Sequence, residues 1–234
     1  MTSTRLPGKV LVDLCGESLI ARVIGRLRRA RRVDEVVIAT TVNTTDDALV
    51  EAVERLGVET FRGDEHDVLG RYHAAAAAAS ADLVVRITAD CPLIDPTVVD
   101  LVIERATDAA RPCDYASNTI VRTYPRGLDT EVFHREVLDR MARLATSRPA
   151  REHVTYYLHR EHPEEFTIAS IEDSTDNSDL RWTVDTPEDL ELVRQIYTRA
   201  KLTERWVPYP ELLALVRRDP ELLTLNAEIR QKAD

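Results

Sequence analysis

The stretch from Ser3 to Lys9 places two cations, two hydroxyls and a glycine in a turn-rich segment ahead of a helical region. Backbone amides of such a loop donate to phosphate oxygens, while Arg5 can fork onto two of them and Lys9 can act as a point charge. The segment therefore predicts a loop that wraps a phosphate chain. From the pattern alone, Arg5 and Lys9 could equally be hydrated surface cations.

A carboxylate, Asp90, lies two residues after the apolar run at 82–88. The carboxyl end of a central strand is where an α/β sheet holds ligands, and Mg²⁺ takes oxygen ligands such as carboxylates. Asp90 is thus a candidate metal ligand, with capping of the following turn or helix as the alternative. Cys91 has no cationic or histidine neighbour in sequence, so we interpret it as a buried packing thiol rather than a nucleophile.

A second carboxylate, Asp185, stands in the stretch 182–189, where we predict that a short strand ends and a helix begins. Thr186 suits the N-cap and Pro187 the first helical position, which leaves Asp185 free to project from the strand end. The acidic residues that follow, ending at Asp189, fall in the first helical turn. Negative charge suits the helix dipole there, so they need no functional explanation.

The elements that must position these residues alternate along the chain. The apolar spacing between Glu17 and Arg32 is helical, and the β-branched run at 35–40 is typical of a buried strand. The alternation predicts an α/β fold with right-handed crossovers and a mostly parallel sheet covered by helices on both faces. The segment 114–133 carries Pro and Gly between two strand-like runs, and we interpret it as a loop-rich insertion that forms one wall of the site.

The chain length of 234 residues suits one α/β domain over residues 1–200. The remaining segment, 201–234, has the pattern of one or two helices with an apolar stripe. We expect this C-terminal helical extension to pack on the same domain, with a second subunit as the alternative surface.

Composition narrows the classes of function. A net charge of -10 and a pI near 5.2 repel a polyanion, so nucleic acid is not an expected partner, and the arginine run from Arg26 to Arg32 is interpreted as a solvated helix face. No stretch reaches the roughly 18 apolar residues of a membrane helix. Three widely spaced cysteines without a Cys-x-x-Cys pair favour a reducing cytoplasm over disulfides or structural zinc.

Several segments, in fixed order from about residue 2 to 199, resemble the spore coat polysaccharide type of cytidylyltransferase. This family is related to the acylneuraminate and ketodeoxyoctulosonate cytidylyltransferases. The segments are STRLPGKV, FRGDEHDVLGRY, VVRITADCPLID, SNTIVRTYPRGLDTEVF, REHVT and LRWTVDTPEDLELV. The resemblance implies a three-layer α/β/α nucleotide-diphospho-sugar transferase fold of GT-A-like type. It also implies transfer of CMP from CTP to a sugar or nonulosonic-type sugar acid, with Mg²⁺ as cofactor, in cell-surface polysaccharide biosynthesis.

The resemblance also implies roles for individual residues. Arg5 and Lys9 match the triphosphate-binding cations, and Asp90 and Asp185 match the metal-binding carboxylates. Other positions match residues that contact the nucleotide base or shape the acceptor pocket. Those near the base are Ser3 and Arg71, and those at the acceptor are Asn118, Arg126, Asp129 and Glu131. Because this fold often pairs through its insertion, we expect a homodimer.

One departure from the family concerns the start of the chain. Members usually carry a β-strand and an alanine-arginine pair immediately before the STRLPGK motif, whereas this sequence begins at Met1. The expectation is either that the first strand of the sheet is lacking or that translation starts further upstream. Two other functions stay open: a nucleotidyltransferase of different base or sugar-phosphate specificity, and a non-catalytic nucleotide-binding homologue.

Overall fold

Strands and helices alternate along the computed structural model, which describes residues 5–229 and 231. The strands are β1 (Asp13–Leu14), β2 (Glu17–Ser18), β3 (Val37–Thr41), β4 (Glu59–Gly63), β5 (Leu83–Arg86), β6 (Tyr115–Ser117), β7 (Glu131–His134) and β8 (Ile168–Ser170). The helices are α1 (Leu19–Leu27), α2 (Asp47–Glu54), α3 (Val68–Ala78), α4 (Pro96–Ala106), α5 (Arg135–Leu144), α6 (Arg148–Glu152), α7 (Pro187–Arg199), α8 (Tyr209–Arg218) and α9 (Pro220–Thr224). The expected α/β alternation is therefore present.

The strands form three separate sheets within the described part of the chain. β1 and β2 form a short antiparallel hairpin, β3 and β4 pair in parallel, and the other strands follow the order β5-β7-β6-β8. β6 and β8 are parallel, but β7 is antiparallel to both of its neighbours because the chain returns from β6 to β7 through one long loop. The sheet is therefore mixed, whereas the alternation alone had suggested a mostly parallel one.

Helix α1 shows how local sequence sets the elements. The Ser18 hydroxyl accepts a hydrogen bond from the amide of Ala21, which caps the helix, and its apolar face from Leu19 to Leu27 is buried. The helix begins later than the apolar spacing predicts because Glu17 and Ser18 pair with β1 as a strand.

The arginine run that begins at Arg26, near the end of α1, is not uniformly solvated. Arg26 is 7% exposed, its Nε donates to the carbonyl of Ile94 at 2.6 Å, and its guanidinium lies over the ring of Trp206. The interpretation of the whole run as a solvated face is therefore wrong for Arg26, whose long side chain crosses into the core and ties α1 to the loop before α4.

The C-terminal helices pack on the body of the protein. Leu212, Val216 and Leu222 are at most 1% exposed and belong to the same buried cluster as Trp182 and Leu93. A second, smaller core lies around Tyr115 and Phe133, between β6, β7 and the helices α3 and α5. In the part of the chain that the structure describes, no helix has the length and apolar character to cross a bilayer.

The loop between β6 and β7 packs against the segment that precedes Asp185. The amide of Trp182 donates to the carbonyl of Arg126 at 2.6 Å, and Arg126 forms an isolated parallel bridge with Arg181. Residues 182–185 lie in no strand, so the predicted strand ending at Asp185 is wrong. A single bridge to the loop takes the place of a ladder because the partner is itself irregular.

Gly127 lies directly against the backbone of Trp182 and Thr183. Its φ is +105°, and a Cβ there would lie 2.6 Å from the carbonyl carbon of Trp182. We expect Gly127→Ala to lower the free energy of unfolding by about 2 kcal/mol or more, through backbone strain and this clash. Gly25→Ala is the control, because Gly25 is helical with open space around it and should change stability by about 1 kcal/mol or less, in the stabilising direction. Urea titration of both variants measures the difference, and equal midpoints would contradict it.

Candidate functional site

The first three segments that the sequence singles out meet at one lysine. Lys9 Nζ donates to Asp90 Oδ2 at 2.6 Å and to Asp185 Oδ1 at 2.7 Å, although these aspartates are 81 and 176 residues away in the chain. Arg5 joins the same group through Nη2, which lies 3.0 Å from Asp185 Oδ2. The four side chains to which the resemblance gives triphosphate-binding and metal-binding roles therefore lie in direct contact with one another.

The backbone conformation just before Lys9 determines where its side chain lies. Gly8 is in the left-handed region, with φ 67°, and directly precedes a short 3-10 helix over Lys9–Leu11. The Lys9 side chain is 16% exposed. Burial would lower the pKa of its ammonium, but Asp90 and Asp185 outweigh this effect and hold the pKa above its ordinary value. Lys9 is therefore a firmly charged cation at this position.

Asp90 lies in the loop that follows β5 and is held by its own neighbours. Thr88 Oγ1 donates to Asp90 Oδ1 at 2.7 Å, and the amide of Val184 donates to the Asp90 carbonyl at 2.8 Å. The alternative role as a cap of the following helix is wrong, because Asp95 caps α4 by accepting from the amides at its N-terminus.

Asp185 is held on its other side by a second arginine. Arg181 Nη2 donates to Asp185 Oδ2 at 2.6 Å. Burial would raise the pKa of the Asp185 carboxyl, but contacts with Lys9, Arg181 and Arg5 outweigh it and lower the pKa. The carboxylate thus stays ionised. Thr186 caps α7 as predicted, in a reciprocal capping box with Asp189.

The formal charges of this centre balance. Three cations, Arg5, Lys9 and Arg181, face the carboxylates of Asp90, Asp185 and Asp189. A polyanion that bound here would therefore have to bring its own countercharge, as a nucleoside triphosphate does when it carries a divalent cation.

The thiol beside Asp90 is a packing group, as interpreted from the sequence. Cys91 is 2% exposed, and burial together with the nearby Asp90 and Asp129 carboxylates raises the pKa of its thiol well above the ordinary value. Asp129 is one of the predicted acceptor residues. Its carboxylate forms a two-point ion pair with Arg122, at 2.7 and 2.8 Å.

The other predicted acceptor residues are tied into the structure. Asn118 is 1% exposed, its Nδ2 donates to the carbonyl of Leu128 at 2.7 Å and its Oδ1 accepts from the amide of Thr130 at 2.9 Å. Its observed contacts thus brace the loop between β6 and β7. Arg126 lies in this loop and contacts the 180–182 segment through its backbone.

Glu131 is the centre of a separate buried network. It pairs with Arg86 across β5 and β7 and accepts hydrogen bonds from Tyr115 Oη and Thr155 Oγ1. Burial would raise the pKa of Glu131, but the Arg86 charge and these donors outweigh it and lower the pKa. The Lys9 ammonium donates instead to Asp90 and Asp185, so the two groups are distinct networks within the described ranges.

Arg71, a predicted nucleotide residue, makes no contact with the Lys9 centre among residues 5–229 and 231. Arg71 Nη1 donates to the carbonyl of Asp64 at 2.6 Å, and its side chain packs on Gly63 at the end of β4. Ser3 lies outside the described residues.

Arg181 and Asp189 were missed by sequence reasoning. Arg181 precedes Asp185 by four residues in an irregular segment, where no periodic pattern would pair them. Asp189 is 0% exposed, and beyond its place in the first turn of α7 it accepts from Arg181 Nε at 3.0 Å. The available signal was weak: a basic residue four positions before an aspartate that is already a candidate ligand.

Comparison with known proteins gives consistent results. Residues 1–213 match the family model described as cytidylyltransferase. The chain is 32% identical over 231 residues to the spore coat polysaccharide biosynthesis protein SpsF of Bacillus subtilis, covering 96% of this chain and 93% of that protein. It is 29% identical over 241 residues to a 3-deoxy-manno-octulosonate cytidylyltransferase of Chlorobium phaeobacteroides, covering 84% and 93% respectively.

A solved structure of similar fold is a cytidylyltransferase from Leptospira borgpetersenii. The TM-score is 0.89 and the identity 30%, with 99% of this chain and 95% of that chain covered. This similarity confirms the α/β nucleotidyltransferase fold that the sequence predicts.

Proposed function

Since the chain belongs to the cytidylyltransferase family and is a nucleotidyltransferase that transfers CMP from CTP, we propose that Asp90, Asp185, Lys9 and Arg5 form its reaction centre. The observation that carries this proposal is the convergence of both carboxylates on one ammonium, at 2.6 and 2.7 Å. In this reaction an acceptor hydroxyl attacks the α-phosphorus in line and pyrophosphate departs, so positioning and charge stabilisation supply most of the catalysis.

We propose Mg²⁺ as the metal, held by Asp90 and Asp185. The residues fit this ion, because two largely buried carboxylates from separate segments point to a single cation position and offer oxygen ligands. When bound, Mg²⁺ polarises the phosphate under attack and offsets charge on the departing pyrophosphate.

The cations of the centre bind and orient the triphosphate in this proposal. Lys9 gives up its contacts with the two carboxylates and moves its ammonium to phosphate oxygens. Arg5 is already 28% exposed beside Asp185 and can fork onto the same chain of phosphates. Arg181 is 7% exposed and stays behind Asp185, so it holds the carboxylate instead of contacting the nucleotide. Ser3 and Arg71 remain proposed contacts of the base.

We propose a sugar acid as the acceptor, in cell-surface polysaccharide biosynthesis. Support comes from the names of the relatives in Bacillus subtilis and Chlorobium phaeobacteroides. The acceptor pocket would be shaped by the loop between β6 and β7, which packs directly against the Asp185 segment. Asn118 and Arg126 set the path of this loop. Asp129 in the loop and Glu131 at the start of β7 carry carboxylates that are paired with arginines.

A homodimer that pairs through the 114–133 insertion stays a prediction. Ile120 and Val121, which are 37% and 48% exposed in the loop after β6, are the apolar side chains that such a contact would bury.

The proposal is tested by measuring pyrophosphate release with each of the four ribonucleoside triphosphates, with Mg²⁺ and with sugar acids or sugar phosphates as acceptors. We expect release with CTP and a sugar acid that stops when a chelator removes the metal. Pyrophosphate release with a different nucleotide would contradict the proposed specificity for CTP. Release only with a sugar phosphate would contradict the proposed specificity for a sugar acid. CTP binding by calorimetry without product from any acceptor would instead favour a non-catalytic nucleotide-binding protein.

A further inference from the structure

The C-terminal segment after α8 reaches the reaction centre through buried polar contacts. It lies beyond residue 213, where the match to the family model ends. We propose that Asn226 is a positioning residue that fixes the Asp185 carboxylate through Arg181 and Asp189. This inference rests on the proposed role of Asp185 as a metal ligand.

Arg181 links the C-terminal segment to Asp185. Its Nη2 donates to Asp185 Oδ2 at 2.6 Å, while Nε donates to Asp189 Oδ1 at 3.0 Å and Nη1 donates to Gln231 Oε1. A planar guanidinium with three of its nitrogens engaged in this way has one orientation. The position of Asp185 Oδ2 therefore depends on what fixes the other two contacts of Arg181.

Asp189 accepts the hydrogen bond from Arg181 Nε and is itself held in place. It is fully buried, and besides Arg181 its Oδ2 accepts from the amides of Asp185 at 3.0 Å and Thr186 at 3.1 Å. One carboxylate thus holds the backbone of the proposed metal ligand and also the arginine that contacts its side chain. A shift of Asp189 would move both together.

Asn226 holds this arrangement from the C-terminal side. It is 8% exposed, and its Nδ2 donates to Asp189 Oδ1 at 2.8 Å and to the backbone carbonyl of Arg181 at 2.9 Å. It therefore restrains both the arginine and the carboxylate that orients it. Hydrogen bonds from residues behind the ligands set the geometry and basicity of metal-binding carboxylates.

Contacts other than those of Asn226 also attach the C-terminal helices to the body of the protein. Arg217 in α8 pairs with both oxygens of Asp179 at 2.6 Å and donates to Asn177 Oδ1 at 2.8 Å. None of these contacts involves Arg181 or Asp185. A variant of Arg217 therefore loosens the same region without touching the positioning contacts, and it serves as the matched control.

The experiment compares Asn226→Asp, Asn226→Ala and Arg217→Ala in the full-length protein. Asn226→Asp keeps the volume but removes both donated hydrogen bonds and places a carboxylate against Asp189. We expect it to lower kcat for CMP transfer roughly 10- to 100-fold and to weaken Mn²⁺ binding in the presence of CTP by a similar factor, with KM for CTP changed less than about threefold. Asn226→Ala should show a smaller loss of the same kind. Arg217→Ala should lower the melting temperature but leave kcat and Mn²⁺ binding within about twofold of the unsubstituted protein.

Mn²⁺ binding is followed by electron paramagnetic resonance, so one readout is independent of turnover. Unchanged kcat and Mn²⁺ affinity in both Asn226 variants, with only a lower melting temperature, would overturn the positioning role. The same losses in Arg217→Ala would also overturn it, because general loosening would then explain them. Failure of the proposed function is distinguished by Asp185→Ala: if that variant retains transfer and Mn²⁺ binding, Asp185 is not the ligand, whatever Asn226 does.

Discussion

Replacing Asp185 with Ala is expected to reduce kcat for CMP transfer by at least about a thousandfold, because the variant loses one of two proposed protein ligands of the metal. Asp90 would then be the single carboxylate of the pair left to hold the metal, because Asp185 Oδ1, on the other side of the Lys9 ammonium, is removed. Measurement of pyrophosphate release at saturating CTP and acceptor gives kcat, and titration with Mn²⁺ in the presence of CTP gives the metal affinity, which should fall in parallel.

The fold should survive this substitution. Arg181 keeps its ion pair with Asp189, and Lys9 keeps its contact with Asp90, so neither buried cation is left without a carboxylate. Asp179→Ala is the control, since Asp179 is a largely exposed aspartate of the neighbouring loop whose ion pair with Arg217 lies outside the centre. Near-normal transfer by the Asp185 variant, or an equal loss in the Asp179 variant, would remove Asp185 from the mechanism.

The Asp185 variant and the unsubstituted protein should also differ in their response to acid. The pKa of Asp185 is lowered in the folded protein, so its ionised form contributes stability at pH values above its ordinary pKa of about 3.9. That contribution is lost as the pH falls through the lowered folded value. Any stability that Asp185 adds relative to the alanine variant should therefore diminish below about pH 4, in unfolding experiments across the acid range.

Replacing Lys9 with Met is expected to have opposite effects on turnover and on metal binding. Turnover should fall about a hundredfold or more, because the ammonium that stabilises the phosphate chain is lost. Binding of Mn²⁺ without nucleotide should become at least about tenfold tighter, because the Lys9 ammonium lies between the two carboxylates that would hold the metal. Loss of turnover alone would be expected of many variants, whereas the gain in metal affinity is specific to this arrangement.

Calorimetry or paramagnetic resonance with Mn²⁺ alone measures the second effect. Lys201→Met is the control for removal of a lysine charge, since Lys201 is exposed and follows the end of α7. Unchanged or weaker metal binding by the Lys9 variant would show that the ammonium does not compete with the metal. Lys9 would then be a phosphate ligand only, and the order in which metal and nucleotide bind would have to be explained otherwise.

Features that depend on a few neighbouring residues could be predicted from the sequence. The buried face of α1, the Thr186 cap with Pro187, and the packing role of Cys91 follow from periodicity and side-chain chemistry within one segment. The composition of the site was also accessible, because Asp90 and Asp185 stand after apolar or strand-like runs and Lys9 follows a glycine in a turn.

The partners of those residues could not be predicted in the same way. Arg26 has the sequence context of a surface arginine, yet it is buried against Ile94 and Trp206 because α1 packs beside the loop before α4. Asp189 lies in the first turn of α7, where the helix dipole is sufficient to explain an acidic residue. The sequence therefore provided no reason to expect its contacts with Arg181 and Asn226. In both cases the decisive neighbour comes from a distant part of the chain.

The sequence by itself determined which residue types this protein has for binding a metal-nucleotide complex. It also determined local features such as the buried face of α1 and the N-cap of α7. Tertiary structure alone decided that β7 runs antiparallel between β5 and β6, that a single bridge replaces a strand before Asp185, and that the C-terminal segment reaches Arg181. The physical reason is range: helix periodicity and caps act over about four residues. The direction of a strand and the partner of a buried charge depend instead on contacts between residues that are far apart in the sequence, and these contacts form only when the whole chain folds.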